Sequence, residues 1–198
     1  MDKKKMIKYG IIGLILALLI FPAFSTYNSM VELDENSTTQ WANVESSYQR
    51  RADLIPNLVT VVKGYAAHEK ETLSAVMEAR AKATSINIDA SKLDAAAIQR
   101  FQEAQQGISG ALGKLMMVSE RYPDLKANQN FLELQAQLEG TENRINVERN
   151  KFNEVVGAYN KKIKKMPGKI FNMMYGFEER VRFESDKGAE KAYMIEEM

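Results

Sequence analysis

The feature that most limits how this chain can fold is a heptad pattern between residues 131 and 159. Its positions are Phe131, Leu134, Leu138, Thr141, Ile145, Glu148, Phe152, Val155 and Tyr159, in alternating steps of three and four, and only Thr141 and Glu148 interrupt the apolar seam. That period is what one stripe of an α-helix presents to a neighbour, and an extended strand cannot satisfy it. Over about 35 residues it predicts a rod on the order of 50 Å long. Asn130 with Glu133 reads as its cap, and Pro167-Gly168 as its end. Lys161, Lys162, Lys164 and Lys165 crowd the last turn. Cations are favoured there by the helix dipole, and lysines in such a place can also meet anionic headgroups.

A second stripe predicts a helix from about Leu33 to Thr84, through Trp41, Val44, Tyr48, Ile55, Leu58, Val62, Tyr65, Leu73 and Val76. Arg51 and Glu69 occupy stripe positions and break it with charge. Pro56 removes one backbone bond, at a cost of about 3 kcal/mol. Because the stripe resumes in phase, the expectation is a kink rather than a helix end. Residues 85–92 form a loop, and Ser91 with Asp94 marks the next start. That helix runs to about Glu120, with Ile98, Phe101, Ile108, Leu112 and Leu115 inward. Gly107, Gly110 and Gly113 recur within it, which points either to close approach of a neighbouring helix, the expected reason, or to a softened stretch.

Tyr122-Pro123-Asp124-Leu125 breaks the chain before the heptad rod. After the rod, residues 169–177 give a short helix or turn rich in Ile170, Phe171, Met173, Met174 and Tyr175, either an adaptable contact surface or a bundle cap. Residues 178–198 are charged with little periodicity and read as a loose tail, with Phe183, Tyr193, Met194 and Ile195 as the residues that could instead add a strand or helix to a neighbour.

From Tyr9 to Val31 there is no charged residue. As a helix that run spans about 34 Å at 1.5 Å per residue, enough to cross a hydrocarbon core of roughly 30 Å. A cleaved signal peptide is the alternative, since Lys3, Lys4, Lys5 and Lys8 precede the run and Ala23-Phe24-Ser25 loosely fits a cleavage site. Continuation of the run to Val31 favours retention. The lysines on one side, against Glu32, Asp34 and Glu35 on the other, place the tail in the cytoplasm and the large domain outside it. The inverted insertion is the other topology open to so short a tail. The organisation expected is a basic tail over residues 1–6, a transmembrane anchor over 7–26, a helical bundle over 27–177 and a charged tail over 178–198.

Composition narrows function mainly by exclusion. Lys and Arg number 27 against 26 Asp and Glu, a net charge of +1, which gives no field for nucleic acid. There is no cysteine and one histidine, His68, and Thr72 stands where the zinc-protease helix pattern needs a second histidine. The glycines at 107, 110 and 113 lack the ending of a phosphate loop. No cofactor and no metal are expected, and no enzyme activity.

Two blocks carry a resemblance. The first runs from Tyr27-Asn28 and Trp41 through Arg51-Ala52-Asp53-Leu54-Ile55-Pro56-Asn57 to Gly64-Tyr65-Ala66-Ala67-His68-Glu69, continuing at Glu78-Ala79-Arg80. The second runs from Tyr122-Pro123-Asp124-Leu125-Lys126-Ala127-Asn128 through Thr141-Glu142-Asn143-Arg144-Ile145 and Arg149 to Asn153 and Tyr159-Asn160. Together they resemble the bacterial LemA family over most of the chain. The resemblance implies an all-α protein: an N-terminal transmembrane helix, then an elongated antiparallel bundle of three to four helices. It carries over no catalytic residue. The polar Asn36-Ser37-Thr38-Thr39-Gln40 departs from the family pattern and puts an unbroken helix at that junction in doubt.

The candidate functional set is Arg50, Arg51, Asp53, Asn57, His68, Glu69, Glu142, Asn143, Arg144 and Arg149, placed on the first and third long helices. Across an antiparallel pairing these form either an ion-pair network that sets register or a face that grips a partner. The function expected is a structural or scaffolding module of the bacterial inner (cytoplasmic) membrane. It is a single-pass protein held in the bilayer by residues 7–24, with the bundle on the periplasmic or extracytoplasmic side. Its partners are further copies of itself, in homo-oligomers that extend to shaping the membrane, and other membrane proteins. The alternative is an adaptor presenting substrates or signals to a membrane enzyme such as a protease.

Overall fold

The computed structural model describes residues 3–90 and 93–184, with backbone alone at 3–8, 10, 12 and 15–20. Among these residues the chain forms α1 (Lys3–Tyr65), α2 (Lys70–Thr84), α3 (Ala95–Ser119), α4 (Pro123–Lys126), α5 (Gln129–Lys164) and α6 (Gly168–Tyr175), and no strand. The four longer helices run up, down, up and down. Paired residues fix the sense: Gln40 meets Glu148, Arg51 meets Glu142 and Tyr65 meets Asn128, so α1 and α5 are antiparallel.

The all-α bundle agrees with the heptad reading, but the first predicted helix is two helices. The break falls at residues 66–69, one turn beyond Val62, and not at Pro56. Glu69 N–H donates to the Ala66 carbonyl at 3.1 Å, a tight turn that reverses the chain. The turn is fastened from outside: Glu69 accepts from Arg121 at 3.0 Å and from the Tyr122 hydroxyl at 3.2 Å, both in the α3–α4 connection. Pro56 stays inside a continuous α1 because its local cost is met by tertiary structure. Its missing N–H would orphan the Ala52 carbonyl, four residues back. Arg80 Nε on α2 donates to that carbonyl at 2.8 Å. The proline thus creates the acceptor by which α2 is keyed to α1.

Polar residues 36–40 do not interrupt α1 either. Ser37 and Thr38 hydroxyls both donate back to the Asp34 carbonyl, at 2.7 and 3.3 Å, and Gln40 reaches across to Glu148. The expected anchor over residues 7–26 falls largely on positions whose side chains lie outside the described residues. Among those described, no helix is long and apolar enough to cross a membrane. The backbone is helical through the whole uncharged run and onward into the bundle.

Two predicted caps shift. The α3 cap is Asp94, whose carboxylate accepts from Ala97 N–H at 2.6 Å, while Ser91 lies outside the described residues. The α5 cap is Asn128, accepting from Phe131 N–H at 3.0 Å, two residues before the predicted Asn130. In the heptad, Val156 is buried and Val155 only half-buried. The buried steps from Glu148 are then four, four and three, an eleven-residue span of about 3.67 residues per turn that departs from a strict heptad. The three α3 glycines meet no neighbouring atom within 4 Å of an added Cβ, so close helix approach is not their reason.

The core forms three clusters along the rods. At the turn end Ile55, Leu58, Val62, Leu73, Ile108, Leu115, Leu125 and Phe131 pack together. In the middle Trp41, Val44, Tyr48, Phe101, Ile145, Phe152 and Phe183 form an aromatic cluster. Each such side chain contributes roughly 1.5–3 kcal/mol by leaving water. At the stem end Met30, Tyr159 and Ile163 are covered by Leu33, Phe171 and Phe177.

Candidate functional site

The polar residues gather where helices must be held in register. Arg51 is buried, at 2% exposure, on the face of α1 between the turn-end and middle clusters. Its Nη1 donates to Glu142 Oε2 at 2.7 Å and to Ser109 Oγ at 3.0 Å. Its Nη2 donates to Gln105, at 2.8 Å to the side-chain oxygen and 3.2 Å to the carbonyl. The guanidinium also lies 5.1 Å from the centre of the Tyr48 ring. One charge thus ties α1, α3 and α5 at a single level. Glu142 is half-exposed, so the pair is only partly desolvated. Buried charges of this kind specify alignment more than they stabilise it.

A second knot surrounds Glu148 on α5, whose side chain is 2% exposed. Its carboxylate accepts from Gln40 Nε2 at 2.7 Å, Arg144 Nε at 2.8 Å and Lys151 Nζ at 3.2 Å. The Gln40 amide, followed by the two cations, holds this carboxyl below the usual range against the opposing effect of burial. No two carboxylates converge here for acid–base work.

The remaining candidates are spread over the bundle. Asp53 accepts from Gln49 at 2.8 Å and lies 3.9 Å from Arg80. Arg50 and Arg144 line one open groove of about 530 Å³ between α1 and α5, with Asn43, Ser47, Gln137 and Thr141. Asn57 and Asn143 are exposed. His68 is exposed in the 66–69 turn, and Glu69 caps α2 there, so neither stands on the first helix as expected. Among the described residues no three His, Cys, Asp or Glu groups could hold a metal ion.

A further polar construction joins Arg149 of the candidate set to residues outside that set. Residues 178–184, read as the start of a loose tail, lie against the bundle in an extended, non-helical path. Asn160 donates to the Arg180 carbonyl at 2.8 Å and accepts from its N–H at 3.1 Å. Two turns back along α5, Asn153 does the same with Phe183, at 3.0 and 2.8 Å. Each amide behaves as a peptide group would in a sheet. Arg149 completes the clamp, donating to the Glu184 carbonyl at 3.0 Å with its guanidinium over the Phe183 ring. Phe183 stacks on Trp41 at 5.7 Å. Arg180, 8% exposed, bonds Asp34 at 2.9 Å, the Ala90 carbonyl at 3.0 Å and Thr38 at 3.1 Å. Two asparagines seven apart on one helix were the available signal.

Residues 40–196 of this chain match the sequence model of the LemA family. The chain belongs to the LemA family. Relatives within reach include Magnetosome protein MamQ of Magnetospirillum gryphiswaldense, 29% identical over 89% of this chain and 72% of that protein. Magnetosome protein MamQ 2 of Paramagnetospirillum magneticum is 26% identical over 80% of this chain and 64% of its own length. Protein LemA of Metamycoplasma hominis is 26% identical over 61% and 51%. The LemA match covers both polar knots and the asparagine clamp. Arg51, Gln40, Asn153 and Asn160 each hydrogen-bond across elements of the bundle.

Proposed function

We propose that this LemA-family chain is a non-enzymatic scaffold of the bacterial envelope. Residues 7–24 hold it in the inner membrane by a single pass, the basic tail stays in the cytoplasm, and the bundle stands on the extracytoplasmic side. There it holds further copies of itself or other membrane proteins. The observation that carries the reading is the continuity of α1, one helix of 63 residues from Lys3 to Tyr65. The helix that bears the uncharged run is therefore the same rod that supplies Trp41, Arg51 and Leu58 to the core. A stem joined rigidly to a filled bundle transmits position, and confinement to a membrane plane raises the effective concentration of copies. Relatives named as magnetosome proteins support a place in an assembly, since those names carry no reaction.

Chemical crosslinking in native membranes at native expression tests this. Ladders of homo-oligomer support it. Monomer alone, under conditions that trap known oligomers in the same membranes, contradicts it. The open groove lined by Arg50 and Arg144 favours a second reading, an adaptor for a membrane enzyme such as a protease. That reading predicts a heterologous partner lost in Arg50→Ala and no homo-oligomer ladder.

A further inference from the structure

The stem end of the bundle carries an apolar surface that neither the core nor the polar ties use. Ile170, Met173 and Met174 on α6 are spaced by three and four and so share one stripe, yet they are 48%, 82% and 67% exposed. The adjoining face of α6 is also apolar, with Phe171 against the Met30, Tyr159 and Ile163 cluster. A helix with so wide an apolar face has little reason to turn part of it to water.

Its position is fixed by contacts. Tyr175 lies 4.9 Å from Tyr27 of α1, ring centre to ring centre, and Phe177 lies 6.0 Å from the same ring. Tyr27 is one turn beyond Phe24, about 4.5 Å of rise, and Phe21 and Phe24 are both well exposed. α6 therefore sits beside α1 at the level where the uncharged run leaves the segment assigned to the bilayer. Tyrosines suit that depth, with a ring in the apolar zone and a hydroxyl in the headgroups. α6 is also held firmly. A Cβ at Gly168 would run into the Lys162 carbonyl oxygen, and Gly176 at φ 70° ends the helix in the left-handed region.

Charge completes the picture. Lys161, Lys162, Lys165 and Lys169 surround this end, while Lys164 is paired with Glu179 at 2.7 Å, Asp34 is paired with Arg180, and Glu32, Glu35 and Glu178 are the exposed acids on the bundle side. We infer that α6 is an interfacial foot: its Ile170–Met173–Met174 stripe enters the outer acyl region of an anionic bilayer, and the lysines meet the headgroups. A second copy of the chain is the less suitable occupant, because the same patch adjoins the helix that leads into lipid. The inference rests on the tethered reading above.

The chain has no cysteine, so single labels report cleanly. Met173→Cys, Phe21→Cys and Met117→Cys variants of the full chain are labelled with a fluorophore and placed in vesicles of phosphatidylcholine with or without phosphatidylglycerol. Met117 is exposed on α3 and serves as the aqueous control. The expected result is Met173 quenched by brominated lipid and protected several-fold from iodide relative to Met117. Adding phosphatidylglycerol should deepen that quenching, and replacing Lys161, Lys165 and Lys169 by Gln should remove the phosphatidylglycerol effect. A lipid-quenched Phe21 with an iodide-accessible Met173 overturns the foot and leaves the tether standing. Both labels in water overturn both. Protection of Met173 from iodide without lipid quenching means a protein covers the stripe, and that also overturns the foot.

Discussion

At the scale of single residues, the account turns on groups whose partners lie on other helices. Pro56 and Arg80 are the sharpest pair, because the acceptor that Arg80 fills exists only through the proline. Arg80→Ala should therefore cost about 1 kcal/mol or more in the natural sequence. It should cost markedly less in a Pro56→Ala background, where residue 56 regains its N–H. Urea unfolding of the four proteins in the cycle gives the coupling, and additive costs would sink the explanation. The same scale sets two pH limits. Glu148 is held below the usual carboxylate range, so its contribution is present above an unfolded value of about 4.3 and lost as pH falls through its lower folded value. Burial, then the Asp34 charge, push the Tyr159 phenol up to about 12. Its contribution is present below an unfolded value of about 10 and lost as pH rises through the folded one. The thermal midpoint should thus fall at both ends. Glu148→Gln should flatten the acid limb and Tyr159→Phe the alkaline limb. Limbs unchanged in those variants would refute the assignment.

At the scale of elements, periodicity made most of the fold legible. The stripe through Trp41, Val44, Ile55 and Leu58 and the seam through Phe131, Ile145 and Phe152 name core residues because one helix face is the only place such spacing can go. The break at residues 66–69 was hidden because Ala66-Ala67-His68 contains no residue that stops a helix, and the fastening groups Arg121 and Tyr122 come from half a bundle away. Pro56 was legible as a residue inside a continuing helix, because the stripe resumes in phase beyond it, but its tertiary donor Arg80 was not. Caps shifted by two or three residues because Asn128 and Asn130, or Ser91 and Asp94, are chemically equal candidates until the backbone chooses. Arg51 and Glu142 were legible as charges on facing helices though not as each other's partner, whereas Gln105 and Ser109 were not marked, since uncharged polar residues leave no mark in a helical pattern. The docked segment 178–184 was marked only through Phe183, because an extended strip has no period when its partners are asparagine side chains. Its contribution is measurable. Phe183→Ala should cost about 3–5 kcal/mol for so well packed a ring, with Asn153→Ala and Asn160→Ala losing about 1 kcal/mol per amide bond. A Phe183→Ala protein as stable as the natural one would show that the segment does not belong to the folded unit.

At the scale of the whole molecule, the three core clusters and the two polar knots lie in sequence along rods that share one long member. The Arg51 layer between two apolar clusters prevents the rods from sliding, because a shift of one turn would strand a buried guanidinium away from Glu142. A rod held in register and continuous with its stem suits the proposed scaffold, which would fix distances at a membrane. Counting copies in place is the most direct test of the scaffold. The chain is fused to a fluorescent protein, expressed at native level, and its spots in intact membranes are bleached one molecule at a time. The account predicts that most spots lose their light in two or more steps. Spots that bleach almost entirely in single steps, with a known oligomer resolved beside them, would contradict it.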